Sequence, residues 1–311
     1  MLLRPSRWLL TFCLVFLAMV QVRAAELGVV IVSSDRTLAY QEAAKALMDA
    51  LVVSGVTQDE VQQLNVSELT GAGVLRPRLW VALGAEACGV LAKRNYPVPV
   101  LCTLLPRLSF ERILQDSGRQ ATAQFSALYL NQPLTRQLDL VRLALPKERR
   151  VGVLFGPESK SQEPTLEAAA AARGLKLVST QVTPNEPVFN GLKQILDDSD
   201  VLLAMADPQV YNPGSIQNIL LATYRARVPL VAFSPAYVRA GALLAVYSTP
   251  AQIGLQAGVM ARTVLQGRAL GLPEYPQHFT VNVNEQVARS MGLNLDARDL
   301  SARLARLERG P

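Results

Sequence analysis

Short apolar runs alternate along the chain with longer segments of helical period. Six runs are almost continuously apolar, at 27–32, 79–84, 99–104, 151–156, 201–206 and 229–234. Such runs are typical of parallel strands that are covered on both faces. Apolar residues at helical spacing follow over 38–53, 134–145, 165–173, 216–227 and 253–265. This alternation predicts an α/β fold built from doubly wound, Rossmann-like parallel sheets.

The strand–helix–strand pattern occurs twice, and its second copy is followed by extra segments. These are the run at 242–248, a helix over 250–267 and a last strand at 279–284, and a further apolar run at 121–130 lies between the two copies. A chain that ended with the second unit would not need them. We therefore predict two domains joined by three crossovers, near 121, 243 and 277. The N-terminal lobe would comprise 25–120 plus 243–276, and the C-terminal lobe 121–242 plus 277–311.

The N-terminus has the composition of an export signal. Arg4 and Arg7 come before or beside the uncharged run WLLTFCLVFLAMV (8–20), which is shorter than the roughly 20 residues needed to span a bilayer. Small residues at Val22 and Ala24 then suit a cleavage site. The sequence predicts a signal peptide over 1–24, cut after Ala24, and a periplasmic mature chain. An uncleaved membrane anchor is the alternative.

Charge and composition exclude several classes of function. The formal charge of +6 includes three arginines within 1–24, and without them 28 basic residues face 25 acidic ones, so no nucleic-acid partner is expected. His278, placed in a linker, is the sole histidine of the chain, and three cysteines are too few and too scattered for a metal ribbon. No phosphate-binding loop, dinucleotide fingerprint, nucleophile elbow or Cys-x-x-Cys motif is present in the sequence. We expect no metal, no cofactor and no enzymatic activity.

Cys88 and Cys102 are the two cysteines of the predicted mature chain. An oxidising compartment would allow them to pair, and neighbouring parallel strands could bring them together. Nothing in their spacing guarantees the separation of about 5.5 Å between Cα atoms that a disulfide needs. The sequence favours two buried free thiols, with a disulfide as the alternative.

Three segments resemble a known family. DVLLAMADPQVYN (200–212), VPLVAFSPAYVRAGALLAVYSTPAQIGLQAG (228–258) and FTVNVNEQVARSMGL (279–293) are similar to the second half of ABC-transporter substrate-binding proteins of the type that includes tryptophan and tyrosine binders. Moderate similarity extends from about 120 to 295. Upstream it thins, because relatives usually carry an Asp-Pro pair after the fourth strand, where this chain has Thr103-Leu104-Leu105-Pro106.

The resemblance implies the type I periplasmic binding fold. It also implies a monomer that captures a small molecule between closing lobes and delivers it to a membrane permease, with no chemistry on the ligand. A periplasmic sensor that docks on a membrane receptor or kinase would share this fold and cleft. An exported enzyme is the third hypothesis, and it would need an acid–base pair such as Asp35 with Asp207 across the cleft.

Candidate ligand-binding residues follow the carboxyl ends of the strands or lie on the presumed crossovers, where open α/β sheets bind ligands. They are Ser33, Ser34, Asp35, Gly84, Ala85, Thr103, Tyr129, Gly156, Pro157, Asp207, Tyr211, Ser234, Tyr237 and Tyr247. Asp207 is the strongest candidate, because it directly follows a strand and precedes Pro208, which should place its carboxylate at the cleft. Helix capping is the alternative for the serines and aspartates, tight packing for the glycines, and core packing for the tyrosines.

Overall fold

The structure is a computed structural model that describes residues 27–69, 71, 75–183 and 188–309. The predicted signal peptide, 1–24, lies outside these residues. The described strands form two sheets, one of five strands and one of six. The predicted fold class, two mostly parallel α/β sheets covered by helices, is confirmed.

The first sheet contains only parallel pairs, in the order β2-β1-β3-β4-β5. Its strands are β1 (Val29–Ser33), β2 (Val61–Asn65), β3 (Leu79–Leu83), β4 (Val100–Leu105) and β5 (Phe125–Tyr129). Helices α1 (Leu38–Val52), α2 (Ala85–Ala92) and α3 (Arg107–Ser117) follow β1, β3 and β4 along the chain. The order of the strands reverses between β1 and β3, as in doubly wound sheets.

The second sheet has the order β11-β10-β9-β8-β6-β7, with β11 antiparallel to β10. Its strands are β6 (Arg150–Phe155), β7 (Lys176–Gln181), β8 (Val201–Leu203), β9 (Leu230–Ala232), β10 (Leu244–Tyr247) and β11 (Thr280–Val283). The other helices are α4 (Leu134–Ala144), α5 (Glu163–Ala171), α6 (Val188–Asp198), α7 (Ile216–Ala226), α8 (Pro235–Ala240), α9 (Pro250–Leu265), α10 (Glu285–Ser290) and α11 (Ala297–Arg309). Among the described helices, none is long and apolar enough to cross a membrane.

Each sheet is buried on both faces, so each is the centre of a separate three-layer lobe. Alternate residues of β1 illustrate this: Val29 and Ile31 pack with Leu47 of α1, whereas Val30 and Val32 belong to the cluster on the opposite face. The first lobe is the first sheet with α1, α2, α3 and α9. The second lobe is the second sheet with the remaining helices, and its two apolar clusters likewise lie on opposite faces.

Two of the three crossovers were predicted one strand too early in the chain. The run at 121–130 was assigned to the second lobe, but β5 within it pairs with β4, so the chain changes lobe after Tyr129. The return was placed near 243, but β10 pairs with β9, so the chain leaves the second lobe after Tyr247. The third change lies between Glu274, which pairs with the edge strand β5 through Leu128, and β11.

Helix α9 returns to the first lobe and packs closely against α1. A Cβ atom on Gly254 would lie 2.1 Å from the carbonyl oxygen of Ala43, and one on Gly258 would lie 2.6 Å from the Cβ of Ala50. Any larger side chain at these positions would force the two helices apart. The two glycines, four positions apart, therefore permit the close helix contact by which α9 joins the first lobe.

Cys88 in α2 and Cys102 in β4 form a disulfide, with 5.5 Å between their Cα atoms. The expectation of two free thiols is therefore wrong. The two cysteines meet because Cys88 lies one turn into the helix that follows β3, and β4, which carries Cys102, is the direct neighbour of β3. Both sulfur atoms therefore reach the same buried layer.

Candidate functional site

A cavity of about 310 Å³ lies between the two lobes, where the chain passes from one to the other. The first lobe contributes the start of α3, and the second contributes the carboxyl ends of β8, β9 and β10. Leu130 to Gln132 of the first crossover and Ser248 of the second also line it. The lining residues are Pro106, Arg107, Leu108, Leu130, Asn131, Gln132, Leu134, Gln137, Gln162, Ala204, Met205, Ala206, Phe233, Ser234, Pro235, Val246, Tyr247 and Ser248.

The cavity wall is mainly apolar, with neutral polar groups and one cation. Among the described lining residues, Arg107 is the charged one, and none carries a carboxylate. Arg107 Nε donates to Glu111 Oε1 at 2.6 Å, and its Nη1 donates to the Tyr275 hydroxyl at 3.3 Å. The hydrogen bond to Tyr275, and then the one to Glu111, raise the pKa of Arg107 above its ordinary value. The cavity thus offers apolar contact and a fixed guanidinium.

The three crossovers are joined to one another by buried hydrogen bonds. Gln132 Nε2, on the first crossover, donates to Ser248 Oγ on the second at 2.9 Å, and Ser248 Oγ donates to the carbonyl oxygen of His278 on the third at 2.6 Å. Arg136 donates to Gln132 Oε1 at 2.6 Å and to the carbonyl oxygen of Pro276 at 2.8 Å. These bonds hold the connecting segments together as one unit behind the cavity.

Arg136 itself is held by groups of the second lobe. Its side chain is 6% exposed, it pairs with Glu308 of α11, and its guanidinium lies 4.5 Å from the ring centroid of Phe279. A buried guanidinium is tolerated when its charge and its N–H groups are satisfied. The connecting unit is therefore fixed firmly to the second lobe.

One further ion pair joins the lobes away from the crossovers. Arg112 Nη2 of α3 lies 3.2 Å from Glu158 Oε1, in the loop that follows β6. Both side chains are partly exposed, and pairs of this kind contribute about 0–1 kcal/mol. The pair brings α3 beside the second lobe without locking the two lobes together.

Two of the fourteen predicted site residues, Ser234 and Tyr247, line the interlobe cavity. Two others, Ser33 and Asp35, line a separate cavity of about 400 Å³ at the ends of β1 and β2, within the first lobe. The structure therefore does not bring the predicted residues together at one site.

Ser34 and Gly84 contact each other at the reversal point of the first sheet. Ser34 Oγ donates to the carbonyl oxygen of Leu83 and accepts from the backbone N–H of Ala87, both at 2.9 Å. Gly84 has φ +93°, and a Cβ there would lie 2.6 Å from Ser34 Oγ. Ser34 thus serves the start of α2, and Gly84, which adopts a positive φ readily because it has no Cβ, makes room for it. Ala85 is exposed beside them.

Thr103 and the exposed Asp35 are the remaining polar candidates of the first lobe. Thr103 is fully buried in β4, and its Oγ1 has no partner within the described chain. Asp35 Oδ1 accepts from the backbone N–H groups of Arg36 and Thr37, at 2.5 and 3.0 Å. Asp35 therefore stabilises the turn that leads into α1, whereas the N-cap of that helix is Thr37.

Asp207 does not stand at the cleft, contrary to expectation. It is 1% exposed, and its Oδ2 accepts from the backbone N–H groups of Glu158 and Ser159 and from Ser159 Oγ, at 2.8–3.0 Å. Its Oδ1 accepts from the N–H of Gln209 at 2.9 Å. Four donors of the chain itself satisfy this carboxylate, so no hydrogen-bonding capacity is directed to a ligand.

Gly156 and Pro157 belong to the loop that Asp207 holds. A Cβ on Gly156 would lie 2.3 Å from Asp207 Oδ1, so the glycine allows the carboxylate to reach the loop. Pro157 is exposed beside it. At this point, where the strand order of the second sheet reverses, the Asp207 carboxylate binds the backbone N–H groups of Glu158 and Ser159. A bound anion could otherwise occupy such a position, as the sequence predicted for a ligand.

The other tyrosines pack in aromatic clusters. Tyr129 is 8% exposed and lies between Phe110 and Tyr275, and burial raises its pKa to about 12. Tyr211 packs against Phe233 and Tyr237, and burial raises its pKa above the ordinary value. Tyr237 donates its hydroxyl to the carbonyl oxygen of Tyr211 at 3.2 Å. Tyr129, Tyr211 and Tyr237 thus pack in the core, which was the alternative to ligand binding.

The polar residues of the cavity that sequence reasoning missed are Arg107, Asn131, Gln132, Gln137, Gln162 and Ser248. Asn131 and Gln132 directly follow the last residues of an apolar run, as the chosen candidates do. That signal was available, but the first crossover was predicted near 121, before β5 rather than after it, so these residues were not assigned to the site. Arg107 begins a helix with no motif around it.

Comparison with known proteins agrees with this arrangement. A family model described as ABC transporter substrate binding protein matches residues 39–300. A ligand-free, open substrate-binding protein with adhesive properties from Clostridium difficile has a TM-score of 0.70 at 18% identity, over 88% of this chain and 97% of that one. An ABC domain in complex with L-Trp from Streptococcus pneumoniae has a TM-score of 0.62 at 17% identity, over 89% and 98%. At these identities the likeness shows the fold.

A curated relative matches a shorter stretch. The tyrosine-binding protein of Clostridioides difficile (strain R20291) is 24% identical over 174 residues, which is 54% of this chain. The match spans 49% of that protein, about half its length. The family model covers most of the present chain, with both lobes and the cavity between them. The chain belongs to the ABC transporter substrate-binding protein family.

Proposed function

We propose that this protein captures a small solute in the interlobe cavity and presents it to the membrane permease of an ABC transporter. The observation that carries the proposal is the position of the cavity. Both lobes line it, together with residues of the first and second crossovers, which hydrogen bonds join to the third. A rotation of the lobes about the crossovers would close such a cavity around a bound molecule, as in hinged binding proteins. The protein would act as a monomer.

Export to the periplasm is part of the proposal. The N-terminal sequence supports it, with a basic start, a short apolar run and small residues before Ala25. The Cys88–Cys102 disulfide supports it independently, because disulfides form and persist in oxidising compartments. Removal of 1–24 would leave the two lobes as the mature protein.

The protein would bind its solute without changing it. The cavity wall supplies amides, hydroxyls and a guanidinium, and the described lining residues include neither histidine nor a carboxylate for acid–base chemistry. Asp35 and Asp207, the pair that an exported enzyme would use, are engaged by backbone N–H groups at separate places. The relatives' names, which mention tyrosine and L-Trp, make aromatic amino acids the reference ligands for any test.

The test begins with the solute itself. Denaturing freshly purified protein and identifying the released small molecule by mass spectrometry supplies the ligand for titration calorimetry. We expect Ala206→Trp to weaken its binding at least tenfold, because the indole would fill the cavity that exposed Ala206 lines. Ala168→Trp is the matched control, since Ala168 is an exposed alanine on α5 outside the cavity.

Equal weakening by the two tryptophan variants, or by neither, would contradict the proposed site. A thermal melt of each variant without solute shows whether folding is retained. Turnover of the recovered solute into a product would contradict the proposal that the protein only binds.

A further inference from the structure

Among the described residues that line the cavity, the charged one is Arg107, whose guanidinium pairs with Glu111 one turn further along α3. Arg107 supplies a guanidinium, and the described lining residues supply no carboxylate. The two aspartates that could have received an ammonium group lie elsewhere: Asp207 is satisfied by four donors of the chain, and Asp35 lines the other cavity. A positively charged group on a solute would have no partner at this wall.

Arg107 keeps capacity for an anion after its own contacts are made. A guanidinium has five N–H groups; Glu111 accepts from one and the Tyr275 hydroxyl from another, which leaves three. The backbone N–H of Arg107 donates to Asn131 Oδ1 at 2.8 Å, so the start of α3 is fixed to the first crossover. The guanidinium is thus held in place at the cavity, as recognition of a planar carboxylate requires.

The rest of the wall suits an apolar body of limited size. Leu108, Leu130, Met205, Phe233 and Val246 are among its lining residues. Its volume of about 310 Å³ is at the lower end of the roughly 300–1,000 Å³ that ligand pockets span. An ammonium group moved from water into this cavity would lose hydration without gaining a charged partner.

We propose that the cavity selects a small organic acid with one carboxylate on an apolar body and no ammonium group, and that Arg107 receives the carboxylate. This rests on the proposed function and deepens it by naming the solute class. It sets this chain apart from a receptor for free amino acids. The Ser234 and Tyr247 hydroxyls, both on the second-lobe wall, supply neutral hydrogen-bonding groups that close on the solute.

Titration calorimetry with matched pairs tests the proposal. Hydrocinnamate and L-phenylalanine differ by the ammonium group, as do isocaproate and L-leucine, and hydrocinnamamide lacks both charges. We expect each carboxylate to bind at least tenfold more tightly than its amino acid. Arg107→Gln should weaken the carboxylates roughly 10- to 150-fold, the range for one charge-assisted hydrogen bond, and leave hydrocinnamamide unchanged.

Two further variants keep this result interpretable. Arg107→Lys retains the charge and should recover part of the lost affinity. Arg142→Gln removes an exposed arginine of α4 outside the cavity and should change nothing. The proposal is overturned if the amino acids bind as tightly as the acids, if neither acid binds, or if Arg107→Gln leaves the acids unaffected.

Failure of this inference is separable from failure of the proposed function. A recovered solute that carries an ammonium group and is excluded by Ala206→Trp would overturn the solute class and leave the binding function standing. If neither Ala206→Trp nor Arg107→Gln changed solute binding, both the proposed function and the solute class would be contradicted.

Discussion

Asp207→Ala should lower the free energy of unfolding by about 3–5 kcal/mol. The carboxylate accepts four hydrogen bonds from the loop 156–159 and from Gln209. Hydrogen bonds to charged groups contribute about 1.5–3 kcal/mol each, and buried donors left without an acceptor lose hydration as well. The contributions do not add fully, since the loop can relax toward water.

Urea unfolding of the mature protein measures this loss. Asp207→Asn should cost less, because the amide oxygen still accepts from part of the loop. Asp197→Ala, at an exposed aspartate of α6, should stay within about 0.5 kcal/mol of the wild type. An unchanged unfolding curve for Asp207→Ala, combined with weaker solute binding, would contradict the structural role and return Asp207 to the ligand site.

Removal of the disulfide should have the next largest effect. Cys88 and Cys102 are separated by 14 residues, and closing a loop of about 15 residues restricts the unfolded chain by about 3 kcal/mol. We expect the Cys88→Ala/Cys102→Ala double variant to be less stable by about that amount. Reductant should destabilise the wild type similarly and leave the double variant unchanged. Two titratable thiols in the denatured, unreduced mature protein would show that no bridge forms.

The sequence predicted the strands that lie inside the sheets and missed two at the edges. β2 (VQQLN) and β7 (KLVSTQ) each pair on one side only and are half exposed, so they lack the continuous apolar runs of the central strands. The crossovers were misplaced for a related reason. Every residue of β5 is buried. A buried run of this kind has the same sequence pattern whichever of the two sheets it joins. Sheet membership is decided by pairing, which a local pattern does not contain.

The candidate site was predicted less well than the fold, and Asp207 shows why. A carboxylate that follows a strand can face a ligand or bind the N–H groups of a neighbouring loop, and both outcomes give the same local sequence. The loop at 156–159 is 48 or more residues away in sequence, so its hydrogen bonds to Asp207 could not be anticipated. Asn131 and Gln132 became recognisable as cavity residues only when the position of the first crossover was known.

Closure of the lobes around the solute is the central expectation, and small-angle X-ray scattering measures it directly. The radius of gyration of the mature protein is compared without solute and with the recovered solute at a concentration that calorimetry shows to be saturating. Rotation of the lobes about the crossovers predicts a smaller radius of gyration in the saturated protein, and no such change in Ala206→Trp under the same conditions. An unchanged radius in wild-type protein that is demonstrably saturated would contradict capture by closure.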